Sequence, residues 1–92
     1  MIEVKWTSRA LFDLVRLHHF LEPVNGRAAA TVIQALTNAP DRLREHPRLG
    51  ARLEEFDPRE VRHIFVDTYE MRYELHHDRI YILRLWHSRE DR

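Results

Sequence analysis

Ninety-two residues, 43% hydrophobic and 33% charged, describe one small soluble domain spanning 1–92, with no room for separate catalytic and regulatory units. Fifteen acidic side chains balance fifteen basic ones, so the net charge lacks the footprint of a protein that grips nucleic acid through its phosphates. The absence of cysteine excludes disulfides and thiolate chemistry, and with no exported leader and no run of 18 apolar residues the expectation is a cytoplasmic protein away from membranes.

The opening "IEVKW" alternates apolar Ile2, Val4 and Trp6 with Glu3 and Lys5, the period-two pattern of a short strand. Thr7 or Ser8 can cap the helix that follows, whose inner positions are predicted at Leu11, Leu14, Val15, His18 and Leu21. After "EPVNG" the chain restarts at Asn25 and Gly26. A second helix from about Arg27 places Ala29, Val32, Ile33, Leu36 and Leu43 on one face, with Pro40 forcing a kink or break near its end. So short a link makes the two helices an antiparallel hairpin.

"HPRLGARLEEFDPRE" carries two prolines, a glycine and mixed charge, and reads as an ordered loop leading to a sheet. Three strand patterns close the chain, "VRHIFVD", "YEMRYELH" and "RIYILRLWH", joined by tight turns around Asp67-Thr68 and His77-Asp78. In the second of these, Tyr69, Met71, Tyr73 and Leu75 share the core face, opposite Glu70, Arg72, Glu74 and His76. Strict alternation in the third puts Tyr81, Leu83, Leu85 and His87 on one side and Ile80, Ile82, Arg84 and Trp86 on the other. The predicted fold is α+β in the order β-α-α-β-β-β, a small antiparallel sheet with a helical hairpin packed on one face. The uncovered face, with Ile80, Ile82, Arg84, Trp86 and Arg72, is expected to be a mixed apolar and basic surface of the kind that docks a peptide.

Candidate chemistry is sparse. The pairs His18-His19 and His76-His77 are adjacent and so diverge on a helix or strand, and no HExxH or other metal-ligand spacing occurs; no metal site is predicted. No serine sits in a GxSxG elbow, and two glycines cannot make a phosphate-binding loop. Metal-independent RNA cleavage stays open, because it needs only a base, an acid and cations for the developing phosphorane. Its candidate residues are Arg62, His63, Arg72, Arg84, His87 and Arg89, with Glu54, Glu55 or Glu70 as a carboxylate. Each also has an ordinary structural reading, such as surface pairing of Arg72 with Glu70 and Glu74. Lys5 is the only lysine among the fifteen bases, which suits planar recognition of an acidic partner or RNA, or reflects compositional bias.

The segments "VKWTSRALFDLVRLHHFL", "LREHPRLG", "REVRHIFVDTYEMRYEL" and "IYILRLWHSRED", in that order and spacing, resemble the RelE/ParE superfamily of toxins from bacterial type II toxin-antitoxin modules. The resemblance covers essentially the whole chain. It implies a RelE/ParE-like fold, no cofactor, and a hetero-oligomer with a cognate antitoxin whose extended segment would lie over Arg72, Ile80, Ile82, Arg84 and Trp86. It also implies contact with operator DNA only through that antitoxin.

Two activities divide the superfamily. RelE-type members are ribosome-dependent mRNA endonucleases with an arginine directly after the tyrosine that opens the strand "YEMRYELH"; here that position is Glu70. An anion there opposes the charge that develops on phosphate. The neutral net charge and the missing lysine cluster lean the same way, and "PRLG" and "WHSRED" resemble the ParE-like, plasmid-stabilisation branch, which inhibits DNA gyrase by binding it. Gyrase is therefore the expected target and catalysis is not expected. Ribosome and mRNA are the alternative, and a non-toxic remnant acting as antitoxin co-repressor is the third possibility.

Overall fold

The computed structural model describes residues 2–90. Strand β1 (Glu3–Trp6) leads into helix α1 (Ser8–Leu21), where the Thr7 side chain accepts a hydrogen bond from Ala10 N and caps the first turn. Asn25 does the same for helix α2 (Gly26–Asn38) through Ala28 N. Of the kink or break expected at Pro40 the structure has the break: α2 ends and a separate short helix, α3 (Pro40–Glu45), opens with the proline at the first-turn position where a missing N–H costs nothing.

The loop that follows contains elements too short to show a period: a two-residue strand β2 (Ala51–Arg52) and a 3-10 turn at Glu54–Phe56. Strands β3 (Glu60–Val66), β4 (Tyr69–His76) and β5 (Arg79–His87) form the predicted meander. The tight turns fall where expected, with Asp67 and His77 at positive φ as two-residue hairpin connections require.

The sheet order is β1-β5-β4-β3-β2. It is mixed, not wholly antiparallel: β1 pairs parallel to β5, with Val4 opposite Ile80 and Trp6 opposite Ile82. Three helices intervene between β1 and the meander, so a parallel return along β5 meets no topological obstacle.

The larger departure from the sequence reading lies in β5. Arg72 faces Arg84 but Tyr73 faces Ile82, so Leu83 is an extra residue, a β-bulge. A one-residue insertion breaks the alternation, so that residues before it and residues after it follow opposite phases. Ile80, Ile82 and Leu85 consequently all lie in the core, each fully buried, in one cluster with Met71, Tyr73, Leu17 and Leu36. Ile80 and Ile82 therefore do not belong to the uncovered face to which simple alternation assigned them, and Tyr81, opposite Glu74, lies there instead.

The α1 assignment also rotates. The buried stripe is Ala10, Asp13 and Leu17, with Leu14 and Leu21 partly buried, whereas Leu11 and Val15 are exposed. A charged Asp13 in the middle of the stripe disguised its phase.

Candidate functional site

The sheet face turned away from the helices is built from three cross-strand rows. Val61, Glu74 and Tyr81 form one; His63, Arg72 and Arg84 the next; Phe65, Glu70 and Trp86 the third. Cross-strand neighbours on one face sit close enough for direct contact. The rows bring His63, Arg72 and Arg84, three of the six candidate nuclease residues, side by side.

Glu70 lies in the middle of the third row, beside Arg72's row, and is 1% exposed. Its Oε2 is 2.9 Å from His63 Nδ1 and 3.9 Å from an Arg72 nitrogen. Burying a carboxylate is tolerable only with such partners. The Arg72 guanidinium is held between two rings, its Cζ 4.8 Å from the Trp86 centroid and 5.0 Å from that of Phe56, delivered by the 3-10 turn. Cation–π packing of this kind suits arginine, whose planar head is weakly hydrated. Among the described residues, Arg72 Nε has no hydrogen-bond partner. Trp86 is only 5% exposed although it belongs to this face, because side chains of the same chain cover it.

Arg84 is drawn to α1. Its Nε and a terminal nitrogen bond the two Asp13 carboxylate oxygens at 2.8 and 3.2 Å, and that pairing raises the Arg84 pKa above its ordinary value. Asp13 also accepts from Leu85 N at 2.9 Å, and Arg16 donates to Leu85 O at 3.2 Å. β1 stops opposite Ile82 while β5 runs on to His87, leaving a free strand edge. Asp13 and Arg16 occupy that edge, and Glu90 continues the role by accepting from His87 N.

The remaining candidates lie elsewhere. Arg62 sits on the opposite face, bonded to Glu60 and to Gly50 O. His87 meets the edge of the Tyr69 ring at 5.1 Å, and Arg89 is exposed in the tail. Both border a cleft of about 410 Å³ between α1 and the end of the sheet, which sequence reasoning missed. Asp13, Phe56 and Glu90 were missed as well. Only Asp13 left a signal, as an acid at helical spacing from Ala10 and Leu17.

The family model described as "ParE toxin of type II toxin-antitoxin system, parDE" matches residues 4–92. A curated relative, Toxin RelE2 of Caulobacter vibrioides, is 33% identical over 88 residues, covering 96% of this chain and 97% of that protein. The fold is shared with a solved structure described as the chromosomal ParDE TA system from P. aeruginosa, at TM-score 0.79 and 22% identity. That match covers 95% of this chain and 96% of the other.

Proposed function

This chain belongs to the ParE toxin family of type II toxin-antitoxin systems, and on that footing we propose that it acts by binding a protein target rather than by cutting RNA. A cognate antitoxin holds it silent; once released, it inhibits DNA gyrase in the cytoplasm and so stops replication.

The observation that carries this reading is the prior engagement of the cations. Arg72 is stacked between Phe56 and Trp86 beside buried Glu70, Arg84 is paired with Asp13, and Arg62 is spent on Glu60 and Gly50 O. A ribonuclease needs cations aimed at the charge that develops on the phosphorane, and a buried carboxylate beside Arg72 works against it. Binding a protein surface asks for no such free charge.

One feature favours a second reading. A carboxylate bonded to Nδ1 fixes a histidine's orientation and tautomer, leaving Nε2 to accept a proton, and His63 with Glu70 has that geometry in the same row as Arg72 and Arg84. That arrangement suits an mRNA endonuclease.

Inducing the toxin without its antitoxin separates the readings. Gyrase inhibition predicts arrested DNA synthesis and a DNA-damage response with transcripts intact. Rapid cleavage of transcripts on ribosomes overturns it in favour of the nuclease, and undiminished growth points to a non-toxic co-repressor.

A further inference from the structure

Strand β1 is an outer strand of the sheet, and its hydrogen bonds show which backbone groups are left over. Glu3 N donates to Asp78 O and Thr7 N to Ile82 O, both at 3.1 Å, so the odd-numbered residues of β1 turn their backbone groups towards β5. The N–H and C=O groups of Ile2, Val4 and Trp6 therefore point away from the sheet, and among the described residues none of them has a bonding partner. The free edge of β5 is sealed by Asp13, Arg16 and Glu90. β1 has no such seal, and neither a proline nor a bulge interrupts it. A row of unpaired groups of this kind is a template for another strand.

The side chains select one occupant and one register. Glu3 and Lys5 are exposed on one face of β1, 3.4 Å apart, while Ile2, Val4 and Trp6 are half-buried on the other, against the core. A second copy laid antiparallel can bond only where outward-pointing residues meet each other, which allows a two-fold centre at Glu3, Val4 or Lys5. A centre at Glu3 sets glutamate against glutamate, and one at Lys5 sets lysine against lysine; like charges directly opposite are destabilising. A centre at Val4 sets each Glu3 opposite the other copy's Lys5. It also makes Val4 with Val4, and Ile2 with Trp6, pairs that exchange both backbone bonds and bring apolar side chains together on the core face. A strand of this same sequence thus satisfies the edge in bonds, charge and apolar contact at once.

We propose that β1 pairs edge to edge with β1 of a second copy of this chain, about a two-fold axis at Val4, so that one continuous sheet runs through both protomers. An edge this short buries less than the roughly 1,200 Å² of a standard stable interface, so the dimer is weak and forms with rising concentration. The axis stands perpendicular to the sheet. The faces that carry His63, Arg72 and Arg84 consequently lie on one side of the joined sheet, both uncovered, and the inference is the same whether gyrase or mRNA is the target.

The test is sedimentation equilibrium of the purified full chain over a range of concentrations, for wild type, Glu3→Lys, Lys5→Glu, the double variant with both changes, and Val4→Pro. The wild-type mass is expected to climb from one chain towards two. Each single charge reversal alters both symmetry-related pairs and should weaken association about tenfold, whereas the double variant restores the opposition of unlike charges and should return close to wild type. Val4→Pro removes an N–H that no bond to β5 uses, so the fold survives, as a proline on an edge strand allows, and the dimer is lost. Hydrogen exchange gives the local readout: the Val4 and Trp6 amides should slow as the concentration rises, and the Leu85 amide, bonded to Asp13 within the chain, should not. Glu3 and Lys5 are exposed, so matching thermal melts establish that the charge variants are folded. A wild-type chain that keeps the mass of one protomer up to about 1 mM overturns the proposal. So does a dimer that persists in Val4→Pro and in both single reversals, which would place the contact elsewhere, and so does a double variant that stays as weak as the single ones.

Discussion

The phenol oxygen of Tyr73, buried in the middle of β4, accepts a hydrogen bond from Gly50 N at 3.0 Å and donates one to Pro47 O at 2.8 Å. One core side chain therefore fastens the loop that carries "PRLG" to the sheet. Tyr73→Phe removes both bonds without changing the packing and should cost about 1–3 kcal/mol, the usual penalty for stranding buried backbone groups. Burial also raises the Tyr73 pKa. The unfolded chain then ionises this phenol near pH 10 while the folded chain keeps it protonated. The stability contributed is complete below pH 10 and declines as pH rises through the folded value. Urea midpoints measured from pH 8 to 11 should fall less steeply in Tyr73→Phe than in wild type.

Gly50 is required for space and not for its backbone angles. A Cβ added there would lie 2.3 Å from His63 O and 2.9 Å from Ile64 Cγ2. Backbone cannot retreat as a flexible side chain can, so Gly50→Ala should cost about 1–3 kcal/mol through overpacking. Chemical denaturation checks this, and a loss under 0.5 kcal/mol would show that the loop shifts freely.

The order of the long elements was legible because each carried a period: alternation through β4, helical spacing through α2, and turn residues at Asp67-Thr68 and His77-Asp78. What stayed hidden was non-periodic. The bulge at Leu83 depends on how β5 pairs with β4, and a single strand's sequence does not record its partner's register. The same insertion hid the site. Glu70 and Arg72 were readable as residues of the face opposite the core, whereas the phase of Ile80 and Ile82 could be known only from the pairing. Phe56 under Arg72 and Glu90 beside Arg16 arise from loop and tail geometry, for which the sequence offered no pattern.

Asp13 should be among the most sensitive charged positions in the chain. Its carboxylate meets Leu85 N, Arg84 and, at 3.5 Å, Arg16, so one side chain seals the edge of β5 and pins α1 to it. Asp13→Ala should cost about 2–3 kcal/mol, through an unpaired backbone donor and a lost charged hydrogen bond. Asp13→Asn keeps one acceptor and should lose less. Hydrogen exchange at the Leu85 amide gives the local readout, with faster exchange expected in both variants and the larger effect in Asp13→Ala.

Acid should loosen the sheet at two places. Arg59 holds the Glu74 pKa below its ordinary value, and Arg48 does the same for Glu60, with Arg62 adding to it. For a depressed carboxylate the stabilisation is complete above the unfolded value of about 4.3 and is lost as pH falls through the folded value. Arg59→Ala should therefore lower the urea midpoint at pH 7 and converge on wild type as the pH drops below 4. A deficit that stayed constant with pH would assign the loss to packing of the Arg59 stem instead.

His63 decides between the two functional readings at a single atom. It is bonded to Glu70 through Nδ1, and its side chain is 21% exposed, so His63→Ala opens no sealed cavity and should fold. A nuclease that used this imidazole as its base would lose about 10²–10⁴-fold in cleavage rate, enough to abolish growth arrest at ordinary induction. A gyrase inhibitor needs no proton acceptor and loses at most one contact. His63→Ala toxin is therefore expected to arrest growth as wild type does. Glu70→Gln should behave alike, since an amide keeps a hydrogen-bonding group beside His63 while removing the charge. If His63→Ala is harmless to cells while still binding the antitoxin, the row of His63, Arg72 and Arg84 is an active site after all. Glu70 would then be the carboxylate that orients its base, not the anion that forbids the chemistry.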